Sequence, residues 1–118
     1  MRRIKKNQQL TELLQLLRKT AIENNAAVWR RVASDLEKPT RKRRIVNIYK
    51  IEKYAQDNEV VVVPGKVLGT GELTKKVTVA AYNFSDEAYK KIKERGNPLS
   101  IKELLEKNPQ GKKIRLMC

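Results

Sequence analysis

Apolar residues recur at helical spacing in three segments of the N-terminal half of the chain. Intervals of three and four residues are typical of one face of an α-helix. The first set is Leu10, Leu13, Leu14, Leu17 and Ala21; the second is Val28, Val32 and Leu36, beside Trp29; the third is Ile45, Ile48, Ile51 and Ala55. Proline cannot continue a helix, so Pro39 predicts the end of the second. The pattern predicts three helices before residue 57, with Trp29 in the core.

From residue 60 the pattern changes to short apolar runs typical of buried strands. Residues 60–63 and 77–81 are rich in valine and have no helical period. Further on, Ser85 precedes two acidic residues, an N-cap signature for a helix reaching about Arg95, where Gly96 predicts a C-terminal stop. Ser100 and Glu103 form a predicted capping box for a short helix. A turn over 108–111 and a last strand over 114–117 complete the pattern.

These elements predict one α/β domain over residues 1–118. We expect a basic helical portion over 1–56 and an α/β core over 57–118. A chain of 118 residues is long enough for one modest core.

The charge balance narrows the class of partner. The chain has 27 Lys and Arg against 13 Asp and Glu, a net charge of +14. Residues 1–56 contribute +10 and residues 57–118 contribute +4, by count along the sequence. Such an excess repels itself in the folded state and indicates a polyanionic partner, either nucleic acid or a membrane surface. Since no run of 18 apolar residues exists, we expect no membrane-spanning segment.

Residues suited to catalysis or metal binding are scarce. The sequence has no histidine, the commonest general base and metal ligand, and one cysteine, Cys118, which has no internal disulfide partner. We therefore expect no catalytic residues, no metal, no cofactor and no small-molecule substrate. A charged start followed by Asn7 lacks the apolar stretch of a secretory signal, and a cytoplasmic protein fits this composition.

The densest cationic cluster is a bend around Pro39. Its members are Lys38, Arg41, Lys42, Arg43 and Arg44. The guanidinium group can hold two phosphate oxygens at once, so the arginines are the stronger candidates for RNA contacts. A solvated charged turn or a nuclear-localisation patch is the alternative. On the predicted third helix, a row of Arg43, Asn47, Lys50 and Tyr54 lies opposite the apolar stripe and could reach phosphate, ribose and base together.

Two further basic groups and a glycine segment complete the candidate RNA-binding set. An N-terminal arm, expected to be unstructured in the free protein, carries Arg2, Arg3, Lys5 and Lys6, and the second helix carries Arg30 and Arg31. The glycine segment contributes Lys66, Gly69, Thr70, Gly71, Lys75 and Lys76. We expect its glycines to allow close packing between strands, leaving backbone N–H groups and lysines for phosphates. The segment matches neither the dinucleotide fingerprint, since Thr74 occupies the third glycine position, nor Walker A.

The same stretches resemble a known family. Gly65-Lys66-Val67-Leu68-Gly69-x-Gly71-x-Leu73-Thr74 and the following Val77-Thr78-Val79-Ala80-Ala81 are similar to the archaeal and eukaryotic large-subunit ribosomal protein L-eighteen-e, a family related to bacterial L-fifteen. Residues 28–33, 38–47, 99–105 and 108–111 extend the resemblance over nearly the whole chain.

The resemblance implies a small irregular β-β-α superhelical core behind the basic helices. It further implies an archaeal structural constituent of the large ribosomal subunit that binds and stabilises rRNA, with neighbouring ribosomal proteins as partners. Two alternatives stay open from the residues alone. One is an RNA-binding or chaperone-like module acting outside the ribosome; the other is a phosphate-handling enzyme that uses the segment 65–71.

Overall fold

The computed structural model describes residues 2–38 and 44–117, with side chains described for 9–38 and 45–117. The helices of this part are α1 (Arg2–Asn24), α2 (Ala27–Leu36), α3 (Ile48–Tyr54), α4 (Asp86–Arg95) and α5 (Ile101–Lys107). The strands are β1 (Arg44–Asn47), β2 (Glu59–Leu68), β3 (Val77–Phe84), β4 (Asn97–Ser100) and β5 (Ile114–Leu116). The predicted α/β class with N-terminal helices is confirmed, and β2, β3 and α4 follow one another in β-β-α order.

The strands form one parallel sheet around β2. β3 pairs with β2 from Glu59 to Val67, and β4 pairs with the outer edge of β3. β1 pairs with the last four residues of β2, whereas β5 pairs with Val60–Val62 near its start. Because a strand has only two edges, β1 and β5 share the edge of β2 that β3 leaves open. All the pairings are parallel, so the five strands run in the same direction.

Helices cover both faces of the sheet, which gives three layers. Side chains alternate across a strand, so Val61 and Val63 belong to the core beneath α3 and α4, while Val62 belongs to the core beneath α1, α2 and α5. Trp29 of α2 is fully buried, and its indole N–H donates to the Pro109 carbonyl oxygen at 2.9 Å. The prediction that Trp29 is a core residue is confirmed.

The connection from β2 to β3 is unusually short for parallel strands. Only residues 69–76 join them, and they form no helix, whereas such crossovers ordinarily need a dozen or more residues. We call residues 69–76 the return segment. Its contacts are with α3 and α4, as described below, so these two helices hold the segment against the sheet.

Both predicted N-caps of the C-terminal half are confirmed. The Ser85 hydroxyl accepts from the Ala88 N–H at 3.1 Å. The Ser100 hydroxyl accepts from the Glu103 N–H at 3.1 Å, and the Glu103 carboxylate accepts from the Ser100 N–H at 2.9 Å. This reciprocal pair is the capping box that starts α5.

Two local predictions are wrong, whereas the predicted helix stop at Gly96 is confirmed. The third helix begins at Ile48 rather than Ile45, because Arg44–Asn47 pair with β2 and tertiary pairing overrides the helical spacing; Ile45 is 61% exposed. The N-terminal arm is helical along its backbone, as the first turns of α1. Gly96 does end α4, but at φ −145° it is not left-handed. Its Cβ would lie 1.8 Å from the Val77 carbonyl oxygen, so close backbone approach requires the glycine there.

Candidate nucleic-acid interface

The outer side of α3 presents two tyrosines and two lysines. Ile48 and Ile51 face the core and are fully buried, which turns the opposite side of this seven-residue helix outward. We call Tyr49, Lys50, Lys53 and Tyr54 the α3 face. Tyr49 is 56% and Tyr54 52% exposed, and the Lys53 ammonium lies 5.3 Å from the Tyr54 ring centroid. Exposed aromatic rings beside ammonium groups can stack on bases while neutralising phosphates.

The α3 face is continuous with the return segment through Tyr49. The Tyr49 N–H donates to the Thr70 carbonyl oxygen at 3.0 Å, and Thr70 is exposed. Gly71 lies directly against the helix at φ +107°, where an added Cβ would be 2.7 Å from the Tyr49 Cβ. The glycine therefore permits both the left-handed backbone and the contact with α3.

The return segment directs carbonyl groups toward α4. The Lys91 ammonium donates to the carbonyl oxygens of Gly69 at 2.7 Å and Gly71 at 2.6 Å, and it lies 3.4 Å from the Glu87 carboxylate. An added Cβ at Gly69 would be 2.7 Å from Glu87 side-chain atoms. The expectation of close packing between strands is thus corrected: the glycines allow packing against helices. Here the segment contributes carbonyl oxygens, and these oxygens bind the ammonium group of Lys91.

Lys75, predicted as a phosphate ligand, is half-buried and directs its ammonium toward the end of α3. Its ammonium donates to the carbonyl oxygens of Glu52 at 2.6 Å and Ala55 at 2.8 Å. These carbonyls belong to the end of α3, where unsatisfied acceptors favour a cation. The neighbouring Lys76 is exposed and lies at the amino edge of the sheet.

Asn47 is half-buried. It precedes α3 as its N-cap residue but makes no capping hydrogen bond with its side chain. The N–H of Tyr49, which an N-cap side chain would accept, already donates to Thr70. The Asn47 Oδ1 is buried and has no hydrogen-bond partner in the structure. Of the predicted row, Lys50 and Tyr54 belong to the α3 face, and Arg43 lies outside the described residues.

The other predicted RNA-binding residues lie at several places around the molecule. Lys66 is exposed and is the register partner of Ile45 on edge strand β1. Lys38 is half-buried and 3.3 Å from Asp35. The remaining positions are Arg30 and Arg31, exposed on α2; Arg2, Arg3, Lys5 and Lys6, on the backbone of α1; Arg44, the first residue of β1; and Arg41 and Lys42, outside the described residues.

Two glutamates, Glu52 of α3 and Glu59 of β2, are bound to internal donors, whereas Glu72 of the return segment is exposed and has no such bond among the described residues. The Thr74 hydroxyl, followed by the Thr74 N–H, lowers the pKa of Glu52. A hydrogen bond from Arg115 is the main cause that lowers the pKa of Glu59. Both carboxylates are thus held as anions by partners within the protein, and the lysines of the α3 face are not their partners.

Three residues of this region were not predicted from the sequence as part of the interface: Tyr49, Lys53 and Lys91. The i,i+4 pairs Tyr49–Lys53 and Lys50–Tyr54 would have indicated an outward aromatic and cationic face if the helix had been started at Ile48. Lys91 had no local signal, because its partners are 20 and 22 residues away in the chain.

Residues 2–38 and 44–117 contain no group of three or more His, Cys, Asp and Glu arranged to hold a metal ion. Within the same residues, no helix combines the length and the apolar character that crossing a membrane requires.

Comparison with known proteins gives consistent matches. Residues 24–97 match the model of a family described as "Ribosomal proteins 50S-L15, 50S-L18e, 60S-L27A". The chain is 51% identical to "Large ribosomal subunit protein eL18" of Archaeoglobus fulgidus, over 96% of this chain and 97% of the relative. Proteins of the same name from Haloarcula marismortui and Methanoregula boonei are 47% and 46% identical, each over 96% of this chain and over 97% and 94% of the relative.

Proposed function

The chain belongs to the ribosomal protein family that includes eL18, and from this membership we propose that it is a structural constituent of the large ribosomal subunit that binds and stabilises large-subunit rRNA. Its place is the ribosome in the cytoplasm, with neighbouring ribosomal proteins as further partners. The role is architectural, and no catalytic step is assigned to any residue.

The α3 face is the observation that supports RNA binding most directly. Tyr49 and Tyr54 are exposed large aromatic residues on a helix otherwise anchored in the core, and Lys53 lies beside one ring. In a chain of net charge +14, such a face suits a partner that offers both phosphates and unstacked bases. The helix is held on both sides, by its core contacts and by the return segment, so it meets RNA with little ordering cost.

Basic groups beyond the α3 face extend this contact. Lys66 and Thr70 are exposed near the same carboxyl ends of the strands. The basic bend, formed by Lys38 and Arg41–Arg44, leads into β1, whose first residue is Arg44, and residues 41–44 are four arginine or lysine residues in succession. We assign phosphate contacts to these residues, to the α1 residues Arg2, Arg3, Lys5 and Lys6, and to Arg30 and Arg31. Each contact releases counterions and so adds a salt-dependent increment of affinity.

Sedimentation of the tagged chain from a cell lysate through a high-salt sucrose gradient tests the ribosomal assignment. We expect stable co-migration with large subunits. If the protein stays near the top of the gradient even at low salt, the assignment fails, and an RNA-binding module acting outside the ribosome replaces it.

A pair of variants then tests the α3 face itself. Lys53→Ala combined with Tyr54→Ala should reduce incorporation into large subunits, because both a charge and a stacking surface are lost. Lys93→Ala combined with Tyr89→Ala is the matched control, since it removes an exposed lysine and an exposed tyrosine that lie beside each other on α4. Equal incorporation of the two variants would remove the α3 face from the interface.

A further inference from the structure

Lys91 differs from the other lysines of α4 in what its ammonium group binds. It is half-buried, whereas Lys90 and Lys93 are exposed. Its ammonium donates to the carbonyl oxygens of Gly69 at 2.7 Å and Gly71 at 2.6 Å, which lie 22 and 20 residues away in the chain. An ammonium group has three donors, so the return segment uses two of the three. Lys91 is therefore a link between α4 and the return segment.

The charge of Lys91 is also balanced within the protein. The carboxylate of Glu87, one turn earlier on α4, lies 3.4 Å from the ammonium. The same glutamate packs against the return segment, since a Cβ added at Gly69 would be 2.7 Å from its side-chain atoms. A phosphate at this position would meet the Glu87 anion and would compete with two short hydrogen bonds. The geometry thus suits a link inside the protein better than a phosphate contact.

The two carbonyl groups that Lys91 binds flank Thr70. The carbonyl oxygen of Thr70 accepts from the Tyr49 N–H at 3.0 Å. Three successive carbonyl groups therefore bond to α4, to α3 and again to α4. Because each peptide unit is planar, holding the units on both sides of Thr70 restricts the direction of its own carbonyl group. Lys91 thus helps to keep the Thr70 carbonyl aimed at α3.

The Thr70 carbonyl takes the place of a side-chain cap at the start of α3. The first N–H groups of a helix have no partner within the helix. The N-cap residue, Asn47, makes no capping hydrogen bond with its side chain, and Thr70 satisfies the N–H of Tyr49 instead. Since α3 has only seven residues, it depends on contacts outside itself. The orientation of Tyr49 therefore depends on where the return segment is held.

The later part of the return segment is held independently of Lys91. The Glu52 carboxylate accepts from the Thr74 N–H at 2.9 Å, and the Lys75 ammonium donates to the Ala55 carbonyl oxygen at 2.8 Å. Loss of the Lys91 bonds should free residues 69–71 while these later bonds remain. The expected change is local to the start of α3 and does not require unfolding of the domain.

We propose that Lys91 is a positioning residue for RNA binding, which holds the return segment so that Thr70 caps α3 and orients Tyr49. It raises affinity by reducing the ordering that binding would otherwise require. A lost phosphate contact lowers the slope of log affinity against log salt by about 0.7–0.9, whereas a lost positioning residue lowers affinity at an unchanged slope. The inference rests on the proposed function, because it assumes that the α3 face binds RNA.

Salt-dependent binding to large-subunit rRNA transcribed in vitro tests this role. Lys91→Met should lower affinity about three- to tenfold with the slope unchanged. Lys91→Arg keeps donors for both carbonyl groups and should restore most of the affinity. Lys53→Met, on the α3 face, should lower the affinity and also reduce the slope by about 0.7–0.9. Lys90→Met removes the same charge from an exposed position of α4 and should change affinity less than about twofold.

Hydrogen exchange of the Tyr49 amide gives a second readout, which needs no RNA. The measured quantity is its exchange rate, by NMR, relative to the rates of amides in β2. Lys91→Met should raise this ratio several-fold, and Lys90→Met should leave it unchanged. Ile92→Val weakens the packing of α4 in the core while retaining the Lys91 bonds. It is the control for stability and should alter neither the ratio nor the affinity of the folded protein.

Each other result overturns the inference in a distinguishable way. A slope reduced by about 0.7–0.9 in Lys91→Met would make Lys91 a phosphate ligand. Unchanged affinity or an unchanged exchange ratio would remove its positioning role, while the loss caused by Lys53→Met would leave the proposed function intact. Equal losses in Ile92→Val and Lys91→Met would reduce the effect to stability. If the unaltered protein does not bind the transcript, the proposed function fails and the inference with it. Circular dichroism checks each variant, and Lys91→Gln replaces Lys91→Met if methionine disturbs the fold.

Discussion

The carboxylate of Glu52 accepts two hydrogen bonds from Thr74, one from the backbone N–H at 2.9 Å and one from the hydroxyl at 2.5 Å. The two residues are 22 positions apart, one on α3 and the other in the return segment. Lys75 of the same segment also donates toward the helix, from its ammonium to carbonyl oxygens at the end of α3. The short crossover between β2 and β3 is thus tied to the same helix that presents the α3 face.

Glu52→Gln should therefore destabilise the protein. A neutral amide retains one acceptor but places an NH₂ group toward the Thr74 donors, so we expect a loss of about 1–2 kcal/mol in the free energy of unfolding, reduced by the solvent access of this pair. Denaturant unfolding at pH 7 measures this loss in the free energy of unfolding. Glu72→Gln is the control, being an exposed glutamate of the same segment with no hydrogen bond or ion pair among the described residues. Equal midpoints for the two variants would show that the Glu52 bonds contribute nothing.

Acid should destabilise the folded protein through three glutamates. The pKa is lowered from 4.5 for Glu52 by the Thr74 hydroxyl, for Glu59 by Arg115 and for Glu103 by the Ser100 N–H. A lowered pKa means that each of these carboxylates binds a proton more weakly in the folded state than in the unfolded state. The stabilisation is complete above pH 4.5 and is lost as the pH falls through the folded values.

Unfolding midpoints measured between pH 7 and pH 3 test this dependence. We expect the triple variant with Gln at these three positions to be less stable at pH 7 and to show a flatter decline below pH 4.5. The control replaces the same number of exposed glutamates by glutamine: Glu72, Glu94 and Glu106. A decline that is equally steep in both triple variants would assign the acid sensitivity to net charge alone.

Gly96→Ala should be strongly destabilising. A Cβ there would lie 1.8 Å from the Val77 carbonyl oxygen, and a backbone atom cannot move aside without shifting β3 against β4. We expect a loss of about 3 kcal/mol or more in the free energy of unfolding. Asn97→Ala, at the next residue and exposed, is the control and should cost less than about 1 kcal/mol. A Gly96→Ala variant as stable as that control would contradict the close approach.

Features that depend on neighbouring residues were predictable from the sequence, whereas features that depend on contacts between residues distant in the chain were not. The Ser85 cap, the Ser100 capping box and the buried Trp29 follow from short-range chemistry, and all three are confirmed. The strand at Ile45 was not predicted because it pairs with the end of β2, about twenty residues later. The roles of Lys75 and Lys91 are likewise fixed by carbonyl groups 20 to 23 residues away, which no spacing along the chain reveals.

Sulfate or RNA should raise the melting temperature of the isolated protein. With a net charge of +14, the folded state repels itself, and anions that bind it preferentially offset that repulsion. We expect a rise of several degrees in sulfate over chloride at matched ionic strength, measured by thermal unfolding. A melting temperature that responds to neither sulfate nor RNA would show that self-repulsion does not limit stability.

Arg43→Ala combined with Arg44→Ala should weaken RNA binding while leaving the fold intact. Arg43 lies outside the described residues and Arg44 is the first residue of β1, so the prediction rests on their charge and on their place before the α3 face. At matched salt we expect affinity to fall roughly three- to tenfold, with the log–log salt slope reduced by about 1.4–1.8. Circular dichroism should stay native, because β1 pairs through its backbone.

Lys102→Ala with Lys107→Ala removes equal charge from α5 and should change affinity less. If the two double variants bind RNA equally well, the basic bend has no specific role, and the contact is a general response to positive charge.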